Sequence, residues 1–411
     1  MLDIKIIREN PEQIKEKLAT KGFDVAKIDQ IVALDVQARE LQGQLDALRQ
    51  ERNQIAAQGP GMAEKGRAIK AQIEAVNEEF TKVSIGFQAL MLEVPNIPSD
   101  DSPVGKDDSE NPVIRSVGDQ PDFGFEPKDH MALSENLDLF DTERGAKIAS
   151  SRFTYVKNEA VMLEFALIQL ALQITQKYRF KPMITPELVN EKTVMGTGYL
   201  PAGADEVYKT QDDLYLIGTS ELALIGYHQD ELIPEAQLPI RYVGFSSCFR
   251  REAGSYGKDT KGIFRLHQFD KVEMVSFVTP EKAEEEHELI LKIEEEILQA
   301  LKIPYQVMGI VTGDLGVQAY KKYDINSWMP GQQKYRETHS CSNTTDFQSR
   351  RLGIRYKNSD GKNEYLYTLN GTAIAMGRML IAIVENYQQA DGSIKVPDVL
   401  VPFTGFTEIR A

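Results

Sequence analysis

The sequence predicts an α+β fold, in which helices flank a mostly antiparallel sheet and an antiparallel coiled-coil arm precedes that sheet. Two observations lead to this prediction. The N-terminal part of the chain repeats apolar residues at spacings of three and four, the heptad pattern of a coiled coil. Later β-rich runs follow one another at hairpin-like spacing and alternate with apolar helices. We therefore expect two domains, residues 1–105 and residues 106–411.

The arm has two heptad seams, one on each side of a short turn. The first half, from about residue 27 to residue 58, carries the seam residues Ile31, Leu34, Ala38, Leu41, Leu45, Leu48, Arg52 and Ile55, and only Arg52 breaks it. After a turn at Gly59-Pro60-Gly61, the returning seam consists of Met62, Gly66, Ile69, Ile73, Val76, Phe80, Val83, Phe87 and Leu90. Two facing seams joined by so short a turn predict an antiparallel coiled coil over about residues 27–92. Periodicity alone favours a dimerisation or spacer element.

The second domain begins after a linker rich in proline and polar residues, from Pro95 to about Pro121. Its apolar and β-rich runs predict a helix over Ala160–Tyr178 and strands at Leu214–Ile217, Ile240–Phe245, Leu266–Phe277 and Tyr365–Leu369. Neither a Gly-x-Gly-x-x-Gly nor a Walker sequence is present, which argues against a Rossmann or P-loop nucleotide site.

Composition limits the class of protein. With 411 residues the chain can bury two cores, and its formal net charge is -15. Because Lys and Arg must neutralise nucleic-acid phosphates, any RNA surface must be a local basic patch. Two cysteines without a Cys-x-x-Cys pair indicate neither a disulfide framework nor a zinc site. The N-terminus has no apolar signal core and no run reaches 18 apolar residues, so we expect no membrane segment and a cytoplasmic protein.

The stretch from Ser247 to Glu273 is the most informative about function. Arg250 closes a hydrophobic strand, a Gly-rich loop follows, and a second alternating strand returns. Arg250 and Glu252 share one pleat face, and so do Phe269, Lys271 and Glu273. Phe269 and Glu273 are ~13 Å apart at ~3.3 Å per residue, which is near the length needed to hold an adenine ring at one end and an amino group at the other.

Arg378 is a second candidate on physical grounds. It lies in the apolar run Ala373–Ile383, which we interpret as a helix. Burying an unpaired guanidinium costs several kcal/mol. An anion must therefore face Arg378, either a structural carboxylate or a ligand phosphate.

The Ser247–Glu273 stretch resembles the second signature motif of class II aminoacyl-tRNA synthetases, and in detail that of the seryl-tRNA synthetases. Further strings of that family follow in matching order: Met195–Gly198, Gly218–Glu221, Glu337–Asn343, Thr368–Thr372 with Gly377-Arg378, Glu385–Gln389 and Val396-Pro397. The resemblance implies the class II synthetase fold and a serine–tRNA ligase that uses ATP and Mg²⁺. It also implies a homodimer, and an arm that binds tRNA(Ser) and also tRNA(Sec).

The resemblance implies roles for individual residues. The catalytic residues are Arg250, Glu337 and Arg378. Serine is bound by Thr219, Ser220, Glu221, Glu273 and Thr372. ATP is bound by Arg250, Arg251, Glu252, Arg265, Phe269, Glu337, Thr338, His339, Ser340 and Arg378, and Mg²⁺ by Glu337 and Ser340. Thr372 and His339, together with the segment His130–Ser134, depart from the commoner residues of the family.

Two other functions compete with this interpretation. One is an amino-acid:carrier-protein ligase with the same adenylation chemistry, but such homologues lack the long arm. The other is a non-catalytic tRNA-binding paralogue, which would require the loss of Arg250, Glu273, Glu337 or Arg378, and all four are present.

Overall fold

The computed structural model describes residues 1–58, 60–255, 257, 259 and 261–411. The expected turn residue Gly59 and the loop residue Tyr256 therefore lie outside the described residues. The chain divides into two compact units, residues 1–97 and residues 98–411. The division falls earlier than the expected boundary after residue 105, because residues 98–105 belong to the second unit.

Thirteen α-helices are present in the described residues: α1 (Ile4–Glu9), α2 (Pro11–Ala19), α3 (Ala26–Ala56), α4 (Ala63–Glu93), α5 (His130–Leu137), α6 (Thr142–Ile148), α7 (Glu159–Lys177), α8 (Glu191–Thr197), α9 (Glu221–Gly226), α10 (Ala283–Ala300), α11 (Phe347–Leu352), α12 (Met376–Asn386) and α13 (Val401–Thr404). No helix in this part of the chain is long and apolar enough to cross a membrane.

Seventeen strands accompany them in the described ranges: β1 (Val113–Val117), β2 (Phe140–Asp141), β3 (Tyr155–Val156), β4 (Lys181–Ile184), β5 (Leu188–Asn190), β6 (Leu214–Leu216), β7 (Leu232–Pro234), β8 (Ile240–Phe249), β9 (Gln268–Val278), β10 (Tyr305–Gly309), β11 (Lys321–Met329), β12 (Lys334–Asn343), β13 (Arg355–Lys357), β14 (Asn363–Tyr365), β15 (Tyr367–Ala375), β16 (Ile394–Lys395) and β17 (Glu408–Ile409).

The first unit is the predicted helical hairpin with two short helices at its base. Residues of α3 and α4 on the predicted seams are buried or half-buried, and Arg52 is the exception on α3, where it is exposed. The side chains of α1 and α2 pack with Ile28, Ile31 and Met91 in one apolar cluster. Asp35 is 5% exposed within the hairpin, and its carboxylate pairs with the Arg8 guanidinium at 2.6 Å.

The second unit is built on an eight-stranded sheet with the order β1-β10-β11-β12-β15-β9-β8-β4. Every neighbouring pair is antiparallel except β4 with β8. The predicted antiparallel sheet is thereby confirmed. Apolar side chains of α7, α10 and α12 pack together with those of the central strands in the largest core cluster, and this packing holds the sheet rigid beneath the residues that project from it.

The main difference from the sequence prediction lies at the start of α12. The predicted helix over Ala373–Ile383 begins only at Met376, because Ala373–Ala375 continue β15 and pair with β9 as far as Lys271. Apolar runs of this kind are compatible with either strand or helix, so the sequence alone did not separate them. As a result Arg378 lies in the first turn of the helix, directly after the end of the interior strand β15.

We expect the Leu45→Ala substitution to lower the free energy of unfolding of the arm by about 2–4 kcal/mol, because Leu45 is 1% exposed and its removal leaves a cavity in the α3–α4 seam. Arg52→Ala, at the exposed position of the same seam, is the control and should change the free energy of unfolding by less than about 0.5 kcal/mol. Hydrogen exchange of the backbone amides of α3 and α4 measures both. Equal effects of the two substitutions would contradict the observed seam.

Candidate active site

One cavity of the second unit brings together most of the residues expected to act in the site. It lies where β8 ends, β9 begins and α12 starts, and β12 and β15 supply its floor. Its lining consists of Arg250, Glu252, Ile263, Phe264, Arg265, Leu266, Phe269, Lys271, Glu337, Thr338, Ser340, Thr372, Ala375, Gly377 and Arg378. The fold thus concentrates arginines and carboxylates that are far apart in the sequence.

Arg250 is fixed at the mouth of the loop between β8 and β9 (residues 250–267, the β8–β9 loop). Its backbone N donates to His267 O at 3.0 Å, and its Nε donates to Gly218 O at 3.2 Å. Its guanidinium carbon lies 5.3 Å from the centre of the Phe269 ring. A cation and an aromatic ring therefore stand side by side, an arrangement suited to a phosphate next to a flat base.

Arg378 faces a carboxylate of the chain itself, which is one of the two alternatives left open by the sequence. Its Nη1 donates to Glu337 Oε1 at 2.9 Å and to Glu337 O at 3.1 Å. The side chain of Glu337 is 44% exposed and lines the same cavity. Burial raises the pKa of Glu337, but Arg378 and Lys322 outweigh burial and bring it to about 2. Glu337 is therefore an anion that remains accessible from the cavity.

A second cationic cluster surrounds Phe264. The guanidinium carbons of Arg336 and Arg378 lie 3.9 Å and 4.9 Å from the centre of its ring. Asp259 Oδ2 accepts from Arg336 Nη2 at 2.7 Å and from Arg265 Nε at 3.1 Å. No pattern in the sequence singles out Arg336 and Phe264, although each directly precedes a predicted site residue, Glu337 and Arg265 respectively.

The carboxylates expected to bind serine meet behind Arg250. Asn370 Nδ2 donates to Glu221 Oε2 at 2.8 Å and to Glu273 Oε1 at 3.2 Å, so one amide bridges the two carboxylates. Glu221 also accepts from Tyr199 Oη at 2.9 Å and from Gln348 Nε2 at 2.8 Å. Burial, followed by the nearby Glu273 charge, raises the pKa of Glu221 to about 7.

Glu273 has two further partners from its own sheet. Thr372 Oγ1 donates to Glu273 Oε2 at 3.2 Å, and the Lys271 ammonium lies 2.5 Å from the same oxygen. Thr372 stands opposite Glu273 in the β15–β9 pairing, which explains their contact. Lys271 shares a strand face with Glu273, as the alternation predicted, but its pairing was not foreseen.

The side chains of Thr219 and Ser220 hydrogen-bond to backbone atoms and do not line the cavity. Thr219 Oγ1 accepts from Glu221 N at 3.2 Å, and Ser220 Oγ donates to Gly244 O at 3.2 Å. Both side chains are buried. They hold the start of α9, and therefore Glu221, against β8.

Two residues expected to bind ATP do not line the cavity. Arg251 is exposed, and its backbone N donates to Glu206 O at 2.9 Å. His339 is 1% exposed, and its Nδ1 lies 2.9 Å from Thr338 Oγ1. Burial lowers the pKa of His339 to about 3, so the ring is neutral. Their neighbours Arg250, Thr338 and Ser340 do line the cavity. Thr338 and Ser340 share a face because strand side chains alternate. A bulge in the β11–β12 pairing lies at Thr338, next to Glu337.

His130 anchors the far end of the β8–β9 loop. Its Nδ1 lies 3.0 Å from Glu385 Oε1, and Ile263 N donates to its Nε2 at 3.3 Å. Gly262 is required here, because a Cβ at this residue would come within 2.2 Å of His130 Nε2. The departure from the common family sequence at His130–Ser134 therefore falls in a segment that supports the loop.

The cavity can hold a divalent cation only with help from a ligand. The described residues contain no group of three or more His, Cys, Asp or Glu side chains placed to bind a metal. Glu337 and Ser340 both line the cavity with oxygen atoms. One carboxylate and one hydroxyl fit Mg²⁺, which takes its remaining ligands from phosphate oxygens and water.

The site has the parts for charge stabilisation and lacks a poised covalent nucleophile among the described residues. Both cysteines are buried, and burial raises the pKa of each thiol. The cavity instead offers arginines for phosphate and carboxylate groups, and carboxylates next to it for an ammonium. This combination suits the joining of a carboxylate to a nucleotide phosphate.

Comparison with known proteins finds similarity along the whole chain. Residues 1–98 match the seryl-tRNA synthetase N-terminal domain, and residues 206–387 match the tRNA synthetase class II core domain (G, H, P, S and T). A serine–tRNA ligase of Dictyoglomus turgidum is 46% identical over 100% of this chain and 99% of its own length.

Solved structures give the same result. The crystal structure of seryl-tRNA synthetase from Pyrococcus horikoshii complexed with ATP has a TM-score of 0.95 and 42% identity, over 100% of this chain and 99% of that one. The cytoplasmic serine–tRNA ligase from Naegleria fowleri in complex with AMP has a TM-score of 0.91 and 32% identity, over 100% of this chain and 99% of that one.

We expect Glu221 to make stability depend on pH. Its raised pKa means that the folded state keeps a proton above pH 4.5, where the unfolded chain has lost it, so the free energy of unfolding falls as pH rises towards about 7. The neutral Glu221→Gln variant should lack this fall, which amounts to at most ~3 kcal/mol. Urea unfolding at a series of pH values from 5 to 8 measures it.

Glu235→Gln, which neutralises an exposed carboxylate, is the control for this measurement and should keep the pH dependence of the unsubstituted protein. If Glu221→Gln and Glu235→Gln gave parallel pH profiles, Glu221 would not hold the proton.

Proposed function

The chain belongs to the seryl-tRNA synthetase family, and we propose that it activates L-serine with ATP to seryl-adenylate and transfers the seryl group to the 3′ end of tRNA(Ser). It is a ligase that forms aminoacyl-tRNA. The observation that carries the proposal is the single cavity in which Arg250, Arg378 and Glu337 converge, beside the buried Glu221–Asn370–Glu273 cluster.

In the first step the serine carboxylate attacks the α-phosphate of ATP and pyrophosphate leaves. Arg250 binds the α-phosphate and the serine carboxylate together, which holds two anions in line and neutralises the charge that builds at phosphorus. Phe269, already beside Arg250, stacks on the adenine ring, and Glu252 accepts from the adenine amino group. The backbone of the Arg250–Glu252 segment, rather than the exposed Arg251 side chain, follows the nucleotide.

The outer phosphates meet Arg265 and Arg378. Glu337 and Ser340 hold Mg²⁺, which when bound supplies positive charge to the phosphate oxygens of ATP. Because Glu337 also pairs with Arg378 at 2.9 Å, nucleotide binding redistributes the partners of both groups. Thr338 and His339 shape the strand beneath them.

Serine selection falls to the carboxylates behind Arg250. Glu273 accepts the substrate ammonium, in exchange for part of its contact with Lys271. Glu221 and the Thr372 hydroxyl bind the serine hydroxyl, and Thr219 and Ser220 fix Glu221. A buried polar group that the wrong substrate leaves unpaired rejects alanine or glycine by ~10⁴-fold.

The second step transfers the seryl group to a terminal ribose hydroxyl. None of the five histidines is among the described residues that line the cavity. The phosphate released from the adenylate therefore takes the hydroxyl proton in our proposal. The helical arm formed by α3 and α4 binds the long variable arm of tRNA(Ser), and of tRNA(Sec) where the host makes it, by shape and by a few phosphate contacts.

The enzyme acts in the cytoplasm as a homodimer. Support for a partner comes from apolar side chains exposed on α7 and β4: Phe165 is 55% exposed, Met162 44% and Ile184 88%. An exposed edge strand that carries such a residue favours association. A second copy of the chain is the partner that the family implies.

Arg250→Ala should reduce serine-dependent ATP–pyrophosphate exchange by at least about 10³-fold, the scale of losing a principal charge-stabilising group. Arg355→Ala removes an exposed strand arginine and should leave exchange unchanged. Circular dichroism spectra and thermal melts check that both variants fold. Retained exchange in a folded Arg250→Ala variant would remove the central assignment.

Exchange with serine, threonine, alanine and glycine separates the competing functions. Only serine should support exchange, whereas glycine or alanine would favour the carrier-protein ligase. An inactive but tRNA-binding protein would instead point to the non-catalytic paralogue.

Shortening the arm separates the two steps. Leu34 contacts the Gly86 position across the hairpin, so replacing residues 38–82 by a short Gly-Ser turn keeps its base in register. Exchange should survive, and charging of tRNA(Ser) should fall by at least about 10²-fold because the variable-arm contacts are lost. Unchanged charging would show that the arm is a spacer.

A further inference from the structure

Asp259 is a carboxylate in the β8–β9 loop that has no part in the proposed reaction, yet it contacts two arginines at the phosphate end of the site. One of its oxygens, Oδ2, accepts from Arg265 Nε at 3.1 Å and from Arg336 Nη2 at 2.7 Å. Arg265 also donates from Nη1 to Glu252 Oε2 at 3.2 Å. The donors that a phosphate would use are therefore engaged by carboxylates of the protein itself.

Two described residues of the same loop, one after Asp259 and one before it, are held by hydrogen bonds. Ile263, four residues later, is bonded to His130, and Gly254, five residues earlier, donates to Glu206 Oε1 at 2.9 Å. The Asp259 side chain is 21% exposed. Although burial raises its pKa, Arg336 and Arg265 outweigh that effect and hold the pKa below the usual range. Asp259 is thus an anion at neutral pH.

Arg265 and Arg336 lie close to Glu337 and Arg378. Arg265 lines the cavity that contains Glu337 and Arg378. A second, polar cavity beside it is lined by Arg265, Arg336 and Glu337 together. The guanidinium carbons of Arg336 and Arg378 lie 3.9 Å and 4.9 Å from the centre of the Phe264 ring. A chain of phosphates that extends from Arg250 would reach this group of cations last.

We propose that Asp259 is a built-in competitor for the terminal phosphates of the nucleotide, which must displace its carboxylate from Arg265 and Arg336. The inference rests on the proposed ATP site. A carboxylate and a phosphate need the same N–H donors and repel each other, so both cannot be bound at full strength. The competition concerns the β- and γ-phosphates, because the α-phosphate belongs to Arg250.

This competition makes affinity depend on the number of phosphates. A nucleoside monophosphate does not reach Arg265 and Arg336 and leaves Asp259 undisturbed. A triphosphate has to separate Asp259 from both arginines. Asp259 therefore narrows the gap in affinity between ATP and AMP, and it eases the release of pyrophosphate, whose phosphates contact Arg265 and Arg336.

The test is the Asp259→Asn variant, which keeps the side-chain shape and an acceptor oxygen but removes the charge. Isothermal titration calorimetry with ATP, ADP and AMP gives the dissociation constants of the full-length protein in the presence of Mg²⁺. We expect ATP to bind about tenfold more tightly than to the unsubstituted protein, equivalent to ~1.4 kcal/mol. The change should be smaller for ADP, and within about twofold for AMP. Because part of the effect is electrostatic, added salt should reduce it.

Two further variants control the experiment. Asp259→Glu keeps the charge and should restore the original difference between ATP and AMP. Asp346→Asn removes the charge of another arginine-paired aspartate, whose 23% exposure and 2.6 Å contact with Arg350 match those of Asp259, and should leave nucleotide binding unchanged.

Weaker ATP binding by Asp259→Asn would overturn the inference, because it would mean that Asp259 orients the arginines for the phosphates. An equal gain for ATP and AMP would also overturn it, since that would indicate a general change of the loop. Failure of the proposed function is distinguishable, because the unsubstituted enzyme would then show no serine-dependent exchange.

Discussion

The antiparallel pairing of β8 with β9 is the constraint on which the site depends. Gly244 stands opposite Glu273 and Cys248 opposite Phe269, so one register places Arg250 beside the aromatic ring and Glu273 deep in the sheet. A shift of one residue would turn every one of these side chains to the other face. β15 pairs with the other edge of β9 and brings Thr372 opposite Glu273. The spacing between Arg250, Phe269 and Glu273 is therefore set by backbone hydrogen bonds rather than by flexible side chains.

Charge pairing is the second theme of the site. Arg378 pairs with Glu337, Arg265 and Arg336 with Asp259, and Lys271 with Glu273. Buried charges without partners would cost several kcal/mol each, so the fold supplies its own counter-ions. A ligand that bound these groups would exchange one set of ion pairs for another, and its net gain in binding free energy would be smaller than a count of contacts suggests. Glu337 has a lowered pKa and is exposed to the cavity. Both properties are needed by a carboxylate that exchanges one cationic partner for another.

The sequence predicted best those features that are formed by residues close together in the chain. The heptads predicted the arm, and the Arg250–Glu273 stretch predicted a strand, a loop and a returning strand that share a cavity. It was least informative where partners come together only in the fold. Asp259 and Phe264 lie in the β8–β9 loop and meet Arg336 of β12 only in the fold, and no local pattern predicts these contacts. The start of α12 was placed too early because Ala373–Ala375 are equally compatible with strand and helix, and only the pairing with β9 decides between them.

Asn370, whose amide bridges Glu221 and Glu273, is followed directly by Gly371. Asparagine before glycine is the pair most prone to spontaneous deamidation, in which the glycine nitrogen attacks the side-chain amide. In β15 the extended, paired backbone holds that nitrogen away from the amide. Deamidation of Asn370 would replace the bridging amide by a carboxylate next to Glu221 and Glu273. Deamidation of Asn370 therefore requires β15 to open, and the chemical lifetime of the Glu221–Asn370–Glu273 cluster depends on how rarely that happens.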